Sequence, residues 1–277
     1  MDFANTWIPN REPVDFLSGI LHILAYMRRL FRALFRLTLG VLVGFLIFEA
    51  YMFTRIQKLA TDTPVTTSLI EARTIEATAQ GKEPRRYQVW VPLGKISPHL
   101  QRAVIAGEDS NFLSHKGFDY KAIQKAWDDA LRDSAREARK EGENDDWLPN
   151  IPEFKRGAST ISQQLTKNLY LSSTRSFFRK GQEAILTSFL EHSLTKHRIL
   201  EVYLNVIEWG DGVYGAEAAS QYYFHKPASA LTANQAAFLS AMIPNPRTVF
   251  NPRVNPRRVA RRQRIILRGM PHVRPPQ

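Results

Sequence analysis

The sequence predicts a mainly α-helical protein carried behind a single N-terminal transmembrane helix. Three observations predict it: a segment ending at Phe53 that is apolar all round, apolar residues recurring at helical spacing from Leu100 onward, and only one stretch, Tyr87 to Val91, alternating as a strand does. The 277 residues include 38 Lys+Arg against 26 Asp+Glu, a net charge of +12, and are 44% hydrophobic, ample for a core. With 14 Gly, 16 Pro and 23% charged residues, collagen, coiled coil and low-complexity chains are excluded. Cysteine is absent, which removes disulfides, thiolate metal sites and Cys nucleophiles together. Chemistry must come from carboxylates, amines, His or hydroxyls.

Residues 1–32 form a cytoplasmic N-terminal segment and 33–53 the anchor. Leu37 to Phe53 contains one ionisable residue, Glu49, and spans about 26 Å at ~1.5 Å per residue. Extending back to Ala33, with Arg36 snorkelling, reaches the ~30 Å hydrocarbon thickness. Small-residue cleavage signals are missing, so the anchor is uncleaved. Arg28, Arg29, Arg32 and Arg36 precede it while Arg55 and Lys58 follow, which orients the N-terminus to the cytoplasm and the rest outside. Phe16 to Met27 is apolar but too short to span, and reads as an interfacial or packing helix. Residues 54–84 read as a stalk and lead-in, rich in Thr and Pro over Thr61 to Ser68.

From residue 85 to 270 helical periodicity dominates: Leu100, Val104 and Ile105; Ile123, Trp127 and Leu131; Ile161, Leu165 and Leu169; Ile199, Leu200, Tyr203 and Leu204. A charged insert at 128–155 begins in helical pattern and is broken by Gly142, Pro149 and Pro152. Its Trp147, Leu148, Ile151 and Phe154 are either interfacial residues or part of a disordered excursion. Residues 271–277 are a tail.

Four constellations could carry chemistry. Gly107 to Gly117 holds adjacent Glu108 and Asp109, then Phe112 and His115, and either presents an acid at the lip of a cleft or is a polar helix end. In Arg156 to Asn168, Thr160 and Gln163 fit a capping box, so a helix starts there, with Thr160, Gln164 and Lys167 on one polar stripe suited to phosphate or sugar hydroxyls. Arg175 to Glu183 sets Arg175, Arg179 and Lys180 before Glu183, either to balance a diphosphate or because an acid in a first helical turn suits the macrodipole. Lys196 to Gly215 reads as structural, with Glu201 on the surface.

Taken together, in order and spacing, these segments resemble the glycosyltransferase module of the monofunctional biosynthetic peptidoglycan transglycosylases, shared with class A penicillin-binding proteins. The resemblance covers about residues 85–270 and includes Tyr223-Phe224-His225-Lys226-Pro227-Ala228. It implies a lysozyme-like, mainly α fold and polymerisation of lipid II into β-1,4-linked glycan, with inversion and release of undecaprenyl diphosphate. Glu108 would then be the general base and Glu183 the second carboxylate, acting directly or through a divalent ion, Mg or Mn. Asp109, Phe112, His115, Ser159, Thr160, Gln163, Gln164, Lys167, Asn168, Arg175, Arg179 and Lys180 would bind substrate, the last three together with Lys167 holding the diphosphate. No nucleotide or organic cofactor is implied. Partners would be lipid II, the growing lipid-linked glycan, the cytoplasmic (inner) membrane and other wall-synthesis or division proteins, but no nucleic acid. Inverting transfer needs the two acids well separated rather than in contact.

Gln182 departs from the pattern, standing where many members have Lys. A lysozyme-like muramidase or lytic transglycosylase would share the fold and one Glu, but does not account for the basic group before Glu183 or for the anchor. The helix around Arg257 to Arg268 is expected to rest on anionic headgroups or to be a plain surface helix.

Overall fold

The computed structural model describes residues 14–141, 159–171 and 176–277. Arg175 and the Trp147, Leu148, Ile151 and Phe154 group lie outside them. Two compact units are present, residues 1–54 and 55–277.

The first unit is built on α1 (Val14–Lys58), a helix of 45 residues whose end reaches into the second. It is the one described helix long and apolar enough to cross a membrane. Phe16 to Met27, expected as a separate helix, is continuous with the anchor. Nothing in the sequence between them breaks a helix: Arg28 to Arg36 contains no Gly or Pro.

The second unit is mainly helical. It comprises α2 (Ser68–Ala79), α3 (Pro98–Glu108), α4 (Tyr120–Glu141), α5 (Ile161–Tyr170), α6 (Phe177–Ser193), α7 (Lys196–Val206), α8 (Ala216–Phe224), α9 (Ala233–Met242) and α10 (Pro256–Gly269). A small sheet of β1 (Tyr87–Gln88), β2 (Glu208–Gly210) and β3 (Val213–Tyr214) has β3 in the middle, parallel to β1 and antiparallel to β2. Its turn demands glycine: Gly212 has φ 72°, and a Cβ there would lie 2.5 Å from the Cβ of Arg85.

The core gathers Phe112, Leu165, Leu186, Leu190, Leu200, Tyr203 and Trp209, all fully buried. Each aliphatic member contributes about 1.5–3 kcal/mol by leaving water. On α4 the helical pattern is confirmed, but Trp127 and Leu131 remain exposed.

Two expectations are corrected. The stalk at 54–84 is folded into the second unit: the Ser68 hydroxyl donates to the Leu169 carbonyl (3.2 Å) and Ile70 is buried, so α2 packs on α5. Glu201 is not a surface residue. Its carboxylate accepts from the Leu93 N–H (2.8 Å) and from Arg198, tying α7 to the chain before α3. Spacing alone could not distinguish a solvated Glu from one aimed at an orphan backbone donor. The short tail is also seated, with Met270 and Val273 buried.

Candidate active site

The site starts where α3 ends. Ser97 caps the helix, its hydroxyl accepting from the His99 N–H, and Pro98 opens it. Leu100, Ala103, Val104 and Ile105 bury its inner face, so the helix delivers Glu108 at its C-terminus to the wall of a cleft. Gly107 makes that delivery sterically feasible. A Cβ at this position would stand 2.8 Å from Ser240 Oγ and 3.1 Å from Ile266 Cδ1, so α9 and α10 close in on this end only because the side chain is missing.

The cleft has a volume of about 1220 Å³. Glu108, Ser159, Gln164, Lys167, Asn168 and Arg179 line it, as do Arg73 and Glu208 and a row of arginines from α10. Only 7% of the Glu108 side chain is exposed. Its Oε2 accepts from Gln164 Nε2 (2.9 Å) and its Oε1 from Arg262 Nη2 (2.7 Å), which also donates to the Gly107 carbonyl (2.9 Å). Tyr203, fully buried, donates its hydroxyl to Gln164 Oε1 (2.8 Å) and so fixes which end of that amide faces the acid. Burial pushes the Glu108 carboxyl above its ordinary value, and the Arg262 charge with the Gln164 hydrogen bond pulls it back.

α5 carries the opposite contacts. Its capping box forms as the sequence predicts, Thr160 Oγ1 accepting from the Gln163 N–H while Gln163 Oε1 accepts from the Thr160 N–H. Those groups are thereby spent inside the protein: the Thr160 hydroxyl also donates to the Gly117 carbonyl (2.6 Å). Asp109 faces inward too, accepting from the Ile161 N–H (3.0 Å) and from His115 Nε2 (2.9 Å). The Gly117 N–H donates to His115 Nδ1 (3.1 Å), so the ring proton sits on Nε2. Phe112 is buried beneath the Lys196 ammonium, 4.6 Å from the ring centre. Asp109, Phe112, His115, Thr160 and Gln163 therefore shape the joint between α3 and α5 and do not line the cleft.

Glu183 sits behind the cleft wall, its side chain 5% exposed. Arg179 Nη1 donates to Oε2 (3.0 Å) and Lys180 Nζ to Oε1. Arg179 lines the cleft, whereas Lys180 is out of its wall. Lys167 stands in the fields of both acids. The walls around it lower its pKa by withdrawing water, while Glu183 and, more weakly, Glu108 favour the charged form. Gln182, in place of a cation, is buried with its Nε2 unpartnered.

A divalent ion does not fit at Glu183 in this arrangement. Both oxygens are engaged by cations, and the described residues hold no cluster of three His, Cys, Asp or Glu.

The sequence reading missed three cleft residues. Arg262 was placed on a headgroup-facing or surface helix, yet it grips the proposed base. Arg73 and Glu208 line the cleft together, Arg73 donating through Nε (3.2 Å) and Nη2 (2.9 Å) to Glu208 Oε2. Burial raises the Glu208 carboxyl, and its Oε1 has no partner. The run of arginines near Val259 and Ile266 was the available signal, since those two buried residues fix which face of α10 turns inward.

A Transglycosylase family model matches residues 73–143 and 147–271. The biosynthetic peptidoglycan transglycosylase of Laribacter hongkongensis is 42% identical over 231 residues, covering 83% of this chain and 93% of the relative. Those of Chromobacterium violaceum and Thiobacillus denitrificans are 41% identical over 245 residues and 40% over 251, covering 88% and 91% of this chain and 99% and 100% of the relatives. The mainly helical fold is the lysozyme-like one of that family. With matches over most of its length and over nearly all of theirs, this chain belongs to the transglycosylase family.

Proposed function

We propose that the protein is an inverting peptidoglycan glycosyltransferase that polymerises lipid II into β-1,4-linked glycan and releases undecaprenyl diphosphate. The observation that carries the reading is one cleft lined both by a buried, sparsely compensated carboxylate, Glu108, and by the cations Lys167 and Arg179.

Glu108 takes the proton from the 4-hydroxyl of the acceptor N-acetylglucosamine. The oxygen then forms a bond to the anomeric carbon of the donor N-acetylmuramic acid as the bond to the diphosphate breaks. An acid raised by burial is a stronger base than an exposed one, and a positioned base is worth about 10² to 10⁴ in rate. The departing diphosphate takes the electron pair, and Lys167 and Arg179 meet its charge, with Glu183 holding Arg179 and Lys180 in place. Ser159, Gln164 and Asn168 offer hydrogen bonds to the sugars from the same wall. Arg175 belongs to the proposed diphosphate grip by its position beside Arg179 in sequence.

The apolar helix α1 marks a membrane anchor. We assign it to a single pass of the inner membrane, catalytic unit in the periplasm, on the four arginines before the span against Arg55 and Lys58 after it. The test is purified protein with lipid II and, separately, with preformed glycan. Growing strands support the reading, whereas shortened strands would identify a hydrolase or lytic enzyme.

A further inference from the structure

The 45 residues of α1 extend about 67 Å at ~1.5 Å per residue, more than twice the ~30 Å a bilayer core needs. The excess lies on the N-terminal side, before Leu37. This half is patterned differently from the span. At ~100° per residue, Arg28, Arg29, Arg32 and Arg36 fall within one arc of about 100°. Ile20, Ile23, Leu24, Met27, Leu30, Phe31, Leu34 and Phe35 fall within a second arc of about 140°, on the other side, while Leu21 alone of the large aliphatic side chains falls among the arginines. All eight apolar side chains are exposed, Phe31 at 70% and Ile23 at 62%. From Leu37 to Phe48 the helix is instead apolar on every side.

We propose that residues 18–36 lie in the plane of the membrane as an amphipathic helix, apolar face in the acyl boundary and arginines on anionic phospholipid headgroups, bending into the span near Thr38 and Gly40. The inference goes beyond the catalytic reading and shares with it only the anchor. Three observations select a lipid surface as the occupant. The apolar stripe is wider than the narrow seam with which two helices pair. Residues 16–48 contain no Asp or Glu, so a second copy, or any helix pairing without acids of its own, would crowd arginines together with nothing to neutralise them, whereas an anionic headgroup layer neutralises them. The stripe is covalently continuous with a membrane span, which holds it at the bilayer surface. The Thr38 hydroxyl donates to the Leu34 carbonyl (3.0 Å), a back-bond that favours bending, and Gly40 two residues later has open space around it.

The absence of cysteine makes the test direct. Full-length protein carrying Leu24→Cys or Ala25→Cys is labelled with bimane in nanodiscs of phosphatidylcholine, with or without phosphatidylglycerol. These neighbours sit at one level of the helix on opposite arcs. Brominated acyl chains should quench the label at 24 severalfold more than at 25, with the contrast strengthened by phosphatidylglycerol. Arg28→Gln, Arg29→Gln, Arg32→Gln and Arg36→Gln combined should erase it, and the four Lys replacements should keep it. Equal quenching of both labels by aqueous iodide would overturn the proposal, as would protection of position 24 through proximity between two copies. A membrane-impermeant thiol reagent applied to Ala25→Cys in vesicles reports orientation separately. Lipid II polymerisation in the same nanodiscs reports the catalytic reading, so each failure is distinguishable.

Discussion

Glu108 and Glu183 are both helical carboxylates nearly sealed from water, yet their surroundings are opposed. Glu108 ends α3, receives one guanidinium and one amide, and opens onto the cleft. Glu183 lies in the opening turns of α6, has a cation on each oxygen, and sits behind the wall. Burial without full compensation leaves an acid ready to accept a proton; burial with two cations makes an acid a scaffold for those cations. On the proposed reading the two motifs, similar in composition, do different work: one reacts and the other holds the groups that receive the leaving charge.

The sharpest way to break this contrast is at Glu108. Glu108→Gln should cut polymerisation by about 10²- to 10⁴-fold in a continuous lipid II assay while leaving lipid II binding intact. The same variant should be more stable at neutral pH. In the folded chain Glu108 keeps its proton to higher pH than it does unfolded, so the native state binds more protons across that window. Its stabilising contribution is therefore full below the unfolded value and lost as pH rises through the raised folded one. Gln never ionises, so thermal unfolding should show a higher Tm than wild type above the window, by about 2–4 °C per kcal/mol relieved, with the gap closing in acid.

Next in size is Glu183→Gln. Without the charge, Arg179 and Lys180 lose their shared anchor, and kcat/KM should fall by about 10- to 100-fold, the worth of one or two charge-assisted hydrogen bonds. Because the loss concerns placement of cations, it should deepen with added salt and not recover at higher pH. A loss that added salt leaves unchanged would mean that Glu183 does not act by placing the two cations and that the contrast is misassigned.

Arg262→Gln sharpens the other side. Arg262 opposes the effect of burial on Glu108, so its removal should move the acid limb of the kcat profile to higher pH. The groups facing Glu108 are Arg262 from α10, Lys167 and Gln164 from α5, Tyr203 from α7 and its neighbour Asp109. Of the charged members only Arg262 touches it. Activity should be lost at low pH and largely regained in alkali; an unmoved limb would show that Arg262 only supports the backbone at Gly107.

How much of this was legible in the sequence differs between the same two places. The α5 capping box and the helical phases of α3 and α7 follow from local spacing, and the structure has them where the pattern put them. The Glu108 and Glu183 segments were legible as candidates because carboxylates beside turns and cations leave a local trace. What spacing could not reveal is pairing over long separations. Arg262 meets Glu108 across 154 positions, and Arg73 meets Glu208 across 135. Nor could it show that Asp109, His115 and Thr160 are consumed inside the joint between α3 and α5, because polar residues that bind a ligand and polar residues that satisfy buried backbone groups have the same composition.

The smallest effect tests the most indirect contact. Tyr203 does not reach Glu108. It donates to Gln164 Oε1, and that bond orients the amide so that Nε2 faces the carboxylate. Tyr203→Phe keeps the ring that fills the core and removes one hydroxyl, so stability should fall by only about 1 kcal/mol. The freed amide can then rotate and present its oxygen to Glu108, a repulsion that favours the protonated acid. A several-fold drop in kcat, with the acid limb moved slightly upward and KM nearly unchanged, would show that the chain from Tyr203 through Gln164 sets the base. If the loss instead appears wholly in KM, Gln164 serves the sugar rather than the acid, and the contrast between Glu108 and Glu183 rests on Arg262 alone.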